Sequence, residues 1–121
     1  MKFEYFDQNS LKFYLDDSEG IAFVIDLIET WISNADKKYW PNIDVSLVNK
    51  NKSLLKDNIH PFKSSCGQIG FSKLFKDGDD IDKIFIHQDW SLIEEKVTEL
   101  KELYLNSKKE AIIFKTNLMA S

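Results

Sequence analysis

The chain contains no arginine. All sixteen of its basic residues are lysine, set against twenty acidic residues, which gives a net charge of −4. Arginine carries the planar guanidinium that reads guanine and clamps phosphate through paired hydrogen bonds. Because a mildly acidic chain without this group is poorly equipped to hold a polyanion, we expect no direct nucleic-acid partner.

Cysteine is nearly absent too, since Cys66 is the single one. One thiol excludes an intramolecular disulfide, whereas a secreted domain of this size usually carries several. Residues 1–7 include acids where a signal peptide needs an apolar run. The longest unbroken apolar run, residues 21–25, is far shorter than the roughly 20 residues that span a bilayer. We therefore predict a cytoplasmic protein with no membrane partner.

Glycine and histidine are scarce, and this limits the sites that the chain can build. Four glycines form no phosphate-binding loop, and His60 and His87 lie too far apart for a closed zinc motif. The stretch 77–82 (Asp-Gly-Asp-Asp-Ile-Asp) places glycine second, whereas a calcium-binding EF-hand loop places it sixth. We predict no metal and no cofactor, and we interpret 77–82 as a solvated acidic turn.

The one conceivable nucleophile–base pair joins Cys66 to His60 or His87. Catalysis would need the thiolate within hydrogen-bond reach of the imidazole, and residues 64–67 (Ser-Ser-Cys-Gly) match no cysteine-enzyme signature. A lone cysteine commonly acts as a small buried apolar residue. We therefore predict a packing role for Cys66 and a protein that is not an enzyme.

Apolar and aromatic side chains are plentiful. Apolar residues make up 43% of the chain and include nine Phe, four Tyr and three Trp. A chain of 121 residues buries about two-thirds of the surface that it exposes when unfolded. Residues 1–121 are thus expected to fold as a single globular domain around an aromatic core.

Two stretches show helical periodicity. In the first, residues 18–35, a cap at Asp17 or Ser18 precedes an apolar arc that is wider than a one-sided helix needs, formed by Ile21, Phe23, Val24, Ile25, Leu27, Ile28, Trp31 and Ile32. We expect the 56–76 segment, or else a second chain, to cover this arc, and we favour the segment and hence a monomer. The second helix begins at Ser91, which forms a capping box with Glu94, and ends at 106–109.

Period-two alternation and short apolar runs predict strands at residues 2–6, 11–15, 43–47, 83–87 and 111–115. Pro41 blocks helix continuation ahead of the third strand, and the 56–76 segment, which lacks periodicity, is interpreted as loop. The predicted fold class is α+β, with two main amphipathic helices on one face of a mixed, largely antiparallel sheet of about five strands.

Acidic residues form the most distinctive surface pattern. Glu95, Glu99 and Glu102 lie at i, i+4 and i+7, on the face of the second helix opposite its apolar stripe. Like charges at this spacing repel each other, and docking of a basic partner would relieve the repulsion. We predict a partner-binding surface that combines these glutamates with the acids of the 77–82 turn, namely Asp77, Asp79, Asp80 and Asp82.

A small, acidic, lysine-rich and cysteine-poor α+β chain with such acidic groups resembles the immunity proteins of bacterial contact-dependent growth inhibition and related polymorphic toxin systems. The resemblance covers the size and character of the whole chain, with no residue-level motif, so no functional residue is carried over from it. It implies a protein that binds the toxin domain of its own system, often a basic nuclease, and occludes the active site of that domain.

Two other functions stay open. The chain could be a subunit or adaptor of a larger cytoplasmic assembly that uses the wide apolar arc of residues 18–35. It could also be a small enzyme or ligand-binding module with a pocket in the 56–76 loop. A neighbouring gene for a large secreted protein with a toxin-like C-terminus would favour the immunity role over both.

Overall fold

A computed structural model describes residues 2–84 and 89–120. Helices account for 89% of these residues, and no β-strand occurs among them. The predicted α+β fold with a sheet of five strands is therefore wrong. A 3-10 segment, Gln8–Asp16, leads into five α-helices, which are α1 (Ser18–Asn34), α2 (Trp40–Val48), α3 (Lys52–Ile69), α4 (Ser72–Ile84) and α5 (Trp90–Ala120).

Helix α1 confirms the first predicted helix. The carboxylate of Asp17 accepts a hydrogen bond of 2.7 Å from the backbone N–H of Gly20 and so caps the first turn. Val24, Ile28 and Trp31 are buried, as their spacing predicts, and Leu27 packs against the core. The side chain of Phe23 is 48% exposed, however. The apolar arc of α1 is thus covered only in part, by the 3-10 segment, α3 and α5.

Pro41 does not end the helix that precedes it. A π-helical turn, Ala35–Tyr39, joins α1 to α2, and the N–H of Trp40 bonds the carbonyl of Ala35 five residues back. The wider turn admits Pro41 at the start of α2, where its missing N–H costs little. The strand predicted at 43–47 is wrong because Ile43 and Ser46 are buried at helical spacing.

Helices α3 and α4 replace the predicted 56–76 loop. Asn51 caps α3 by accepting a hydrogen bond from the N–H of Leu54, and α3 continues through Pro61 to Ile69. Gly70 then adopts a φ of 106°, a left-handed conformation that ends helices without strain at glycine. Because α4 starts two residues later, the two helices pack closely along their lengths. Residues 83–84 of the predicted fourth strand belong to α4, and 85–87 lie outside the described residues.

Helix α5 is far longer than predicted. Asp89 rather than Ser91 caps it, since the carboxylate of Asp89 accepts a 3.0 Å hydrogen bond from the N–H of Leu92. The helix does not end at 106–109 but continues to Ala120, and the buried hydroxyl of Ser107 donates a hydrogen bond to the carbonyl of Leu103 within it. The predicted strand at 111–115 is also wrong, because these residues belong to α5 and continue its buried face. The residues along that face are Ile93, Val97, Leu100, Tyr104, Ser107, Ala111 and Phe114.

No hairpin forms at the start of the chain. The carboxylate of Glu110 on α5 accepts hydrogen bonds from three successive backbone N–H groups, those of Glu4, Tyr5 and Phe6, at 2.9–3.2 Å. This one side chain therefore satisfies donors that a neighbouring strand would otherwise bind. Residues 11–15, predicted as the second strand, lie in the 3-10 segment instead.

An aromatic cluster forms the centre of the core. Tyr104 contacts Trp31, Phe62 and Trp40 with ring centroids 5.4, 5.5 and 5.9 Å away, and its hydroxyl donates a 2.7 Å hydrogen bond to Asp36 in the π-helical turn. Burial, followed by the Asp36 carboxylate, raises the pKa of Tyr104 well above its ordinary value. One residue of α5 thus joins α1, α2, α3 and the turn between the first two.

Candidate functional site

The acidic stretch 77–82 is helical, so the predicted solvated turn is wrong. Helical geometry separates its four carboxylates. Asp79 and Asp82 face α3, where Lys63 bonds both of them, whereas Asp80 is exposed and Asp77 forms a 3.2 Å ion pair with Lys73. Three of the four predicted partner-binding aspartates are therefore paired with a lysine of the chain, two of them with the buried Lys63.

Lys63 is the centre of a network of charges between α3 and α4. Its side chain is only 9% exposed, and its ammonium bonds Asp79 and, at 3.0 Å, Asp82. Gly78 allows this approach, because a β-carbon at that position would press against the Lys63 side chain. Asp79 also pairs with Lys83 at 2.7 Å. The ion pairs of this network therefore hold α4 against α3.

The same contacts shift the pKa values of the network. Hydrogen bonds from Lys63, and then from Lys83, lower the pKa of Asp79 from its ordinary 3.8 to about 2. Burial opposes ionisation of Asp82, but hydrogen bonds from Lys63 and His60 outweigh it and lower the pKa of this carboxyl. Burial of Lys63 is likewise outweighed by Asp79 and Asp82, so the pKa of Lys63 is raised. All three groups are charged at neutral pH.

His60 also belongs to this network. Its Nδ1 lies 3.1 Å from Asp82, an arrangement in which a carboxylate orients an imidazole. The neighbouring hydroxyl of Ser64, one turn along α3, bonds the backbone carbonyl of His60 at 3.1 Å. Because the Ser64 hydroxyl donates its hydrogen bond to the main chain, it does not serve the His60–Asp82 pair as a nucleophile. We interpret the His60–Asp82 contact as part of the fastening between α3 and α4.

Cys66 lies inside the aromatic core, fully buried, and burial raises the pKa of its thiol to about 12. His60, in contrast, is exposed and turned towards Asp82, so the structure does not bring this imidazole to the thiol. The other imidazole considered, that of His87, lies outside the described residues. Cys66 therefore has the surroundings of a packing residue.

We expect the thiol of Cys66 to be inert in the folded protein. A water-soluble thiol reagent should label it only after denaturation, since both access and ionisation are suppressed. A Cys66→Ala variant should unfold at a lower denaturant concentration, because it leaves a small cavity, and should keep the biological activity of the parent. Rapid labelling of the native protein, or loss of function in the folded variant, would contradict this interpretation.

Glu95, Glu99 and Glu102 are all exposed on α5, with none paired to a lysine of the described residues. Glu99 lies on a groove between α4 and α5, of about 270 Å³, whose acidic lining also includes Asp77 and Asp80. Its remaining lining is Lys73, Lys96, Ile81, Ile84 and Leu100. The structure thus brings together acids that are about twenty residues apart in the sequence, three of the seven predicted. Glu95 and Glu102 lie outside the groove lining.

A second, shallower groove runs along α3 and α4. Ser64, Gly67, Gln68, Ser72 and Phe75 line it, and its volume is about 490 Å³. This is the place where the 56–76 segment was expected to offer a pocket. Its lining carries no charged side chain, and the half-exposed ring of Phe75 is its main apolar feature.

Sequence reasoning missed one surface feature altogether. Phe13, on the 3-10 segment, was interpreted as a strand residue, yet its side chain is 83% exposed. The distribution of charge along the chain could have drawn attention to this region. Residues 8–34 contain five acidic residues and one lysine, whereas the rest of the chain has fifteen of each sign.

Among residues 2–84 and 89–120, no group of three or more His, Cys, Asp or Glu side chains is arranged to hold a metal ion. No helix in the described part of the chain combines the length and the apolar character that a membrane crossing needs. Comparison with protein-family models, curated protein sequences and solved structures finds no match to this chain.

Proposed function

We propose that this chain is a cytoplasmic binding protein that neutralises a toxin domain by covering a basic surface around its active site. The observation that carries the proposal is the groove between α4 and α5, where Glu99 joins Asp77 and Asp80. Glu95 and Glu102 extend the same acidic side of α5 beyond the groove. Carboxylates arranged in this way attract a cationic partner and orient its approach.

The arrangement also explains why a binding role is favoured over catalysis. The buried ammonium of Lys63 is paired with Asp79 and Asp82, and the buried hydroxyl of Tyr104 donates to Asp36. The carboxylates of Glu95, Glu99 and Glu102, by contrast, are exposed on the 31-residue helix α5. A rigid helix presents charges at fixed spacing, which suits docking of a preformed surface.

Reversing the charge of Glu95, Glu99 and Glu102 together to lysine should slow association with the proposed partner, the toxin domain that a neighbouring gene would encode. We expect the association rate at low salt to fall about tenfold, since steering by the whole acidic surface is lost. The fold should persist because these side chains face solvent. Stopped-flow association kinetics and protection of cells that express the toxin are the two measurements.

The matched control changes the same three residues to glutamine. It removes the negative charge without adding a positive one, so its effect should be intermediate, and physiological salt should reduce the difference between all three proteins. Unchanged binding and protection by the lysine variant at low salt would rule out the α5 surface as the interface.

A further inference from the structure

Three aromatic side chains form a continuous exposed surface where the 3-10 segment crosses α1. The rings of Phe13 and Tyr14 meet edge to face at 5.6 Å, and the ring of Tyr14 lies 5.0 Å from that of Phe23 on α1. Their side chains are 83%, 40% and 48% exposed. Burying such rings contributes strongly to protein–protein affinity, and exposed aromatic clusters are typical of binding surfaces.

The surface is held in place by contacts beneath it. Leu11 is buried in the core and Leu15 packs against it, which anchors the 3-10 segment on both sides of the exposed rings. The backbone of Tyr14 lies directly against Gly20, where any β-carbon would overlap the carbonyl oxygen of Tyr14. This close approach needs glycine. The aromatic surface is therefore preformed, and a partner would not have to order it.

The charged side chains that flank the rings on the 3-10 segment and α1 are mainly acidic. Asp16 follows Phe13 by three residues, the spacing at which 3-10 side chains lie over one another. Glu19 and Asp26 lie one helical turn before and after Phe23. All three carboxylates are exposed, and none pairs with a lysine of the described residues. Lys12 is the single basic residue between positions 8 and 34.

We propose that this aromatic-acidic surface, formed by Phe13, Tyr14 and Phe23 with Asp16, Glu19 and Asp26, docks a basic and partly apolar segment of another protein. Lysine or arginine side chains of the segment lie over the ring faces and bond the flanking carboxylates, and its apolar side chains cover the exposed ring of Phe13. A second copy of this chain does not fit, because pairing the same face with itself would bring its carboxylates together. The surface is distinct from the α4–α5 groove, so the inference goes beyond the proposed function.

The test uses the full chain and a labelled amphipathic peptide of lysine and leucine, with a peptide of glutamate and leucine as its counterpart. Fluorescence anisotropy should show binding of the basic peptide and not of the acidic one. The double variant Phe13→Ala, Phe23→Ala should bind the basic peptide more weakly and raise the dissociation constant about tenfold, because it removes exposed aromatic anchors. Its fold should persist, since Phe13 is 83% and Phe23 is 48% exposed and neither belongs to the buried core.

Two charge variants separate this surface from the α4–α5 groove. Asp16→Asn, Glu19→Gln and Asp26→Asn together should weaken peptide binding about tenfold at low salt, while Glu95→Gln, Glu99→Gln and Glu102→Gln together should weaken it less, because they remove charge only from the other surface. Equal binding of both peptides would overturn the proposal, as would equal weakening by the two variants. If the parent chain self-associates and the aromatic variant does not, the surface binds a second copy of this chain, and the proposal is overturned as well. None of these outcomes depends on whether the chain neutralises a toxin.

Discussion

Replacing Tyr104 with alanine should lower the free energy of unfolding by about 4 kcal/mol, in the range measured for large aromatic residues removed from cores. Tyr104 is 1% exposed and contacts Trp31, Trp40 and Phe62. Four parts of the fold meet at this ring, so they cannot all collapse into the space it leaves. Urea denaturation followed by circular dichroism measures the change.

The conservative variant Tyr104→Phe is the control. It keeps every ring contact and removes only the hydroxyl that donates to Asp36. We expect it to cost about 1–2 kcal/mol, because Asp36 keeps its ion pair with Lys108. A loss below about 1 kcal/mol in the alanine variant would mean that the aromatic cluster does not organise the core.

The second large effect concerns Lys63. Changing it to methionine preserves most of the side-chain volume but leaves Asp79 and Asp82 close together without their shared counter-charge. Removing one partner from a buried ionic network costs about 3 kcal/mol. The control is Lys73→Met, which breaks the exposed pair with Asp77 and should cost well under about 1 kcal/mol. Equal effects of the two variants would contradict the fastening role of Lys63.

The pH dependence of stability provides an independent check on the same network. The pKa values of Asp79 and Asp82 are lower in the folded chain than their ordinary 3.8, so the unfolded chain takes up protons first on acidification. Their contribution should be complete above about pH 5 and should disappear as the pH falls towards about 2. Denaturation midpoints across this range should fall steeply in the parent and less steeply in Lys63→Met.

The sequence was sufficient for features that depend on local spacing. Helix α1 combines the Asp17 cap with a long 3.6-residue repeat, and no other secondary structure accommodates both. The start of α5 was located to within a residue for the same reason, although its cap is Asp89. The exposure of Glu95, Glu99 and Glu102 followed from the helical spacing as well.

The predicted strands are wrong wherever the structure describes them, because short apolar runs do not distinguish a strand from a buried helix. Residues 111–115 are an example of this ambiguity. They are recognised as helical only because Ala111 and Phe114 continue, after Ser107, the buried face of α5. In α3, Pro61 and many polar residues weakened the pattern, and the helix is stabilised by packing instead. Lys63 could not be assigned a partner, because Asp79 and Asp82 reach it only once α3 and α4 have packed.

Glu110 connects parts of the chain that are 104–106 residues apart, and this distance has a kinetic consequence. Helix pairs such as α3 and α4 close over short loops, so their contacts can form early. The backbone of Glu4, Tyr5 and Phe6 has to wait until α5 is in position, since closing so long a loop carries the largest entropic cost. Residues 2–7 should therefore be among the last to gain protection from hydrogen exchange during refolding and among the first to lose it on unfolding.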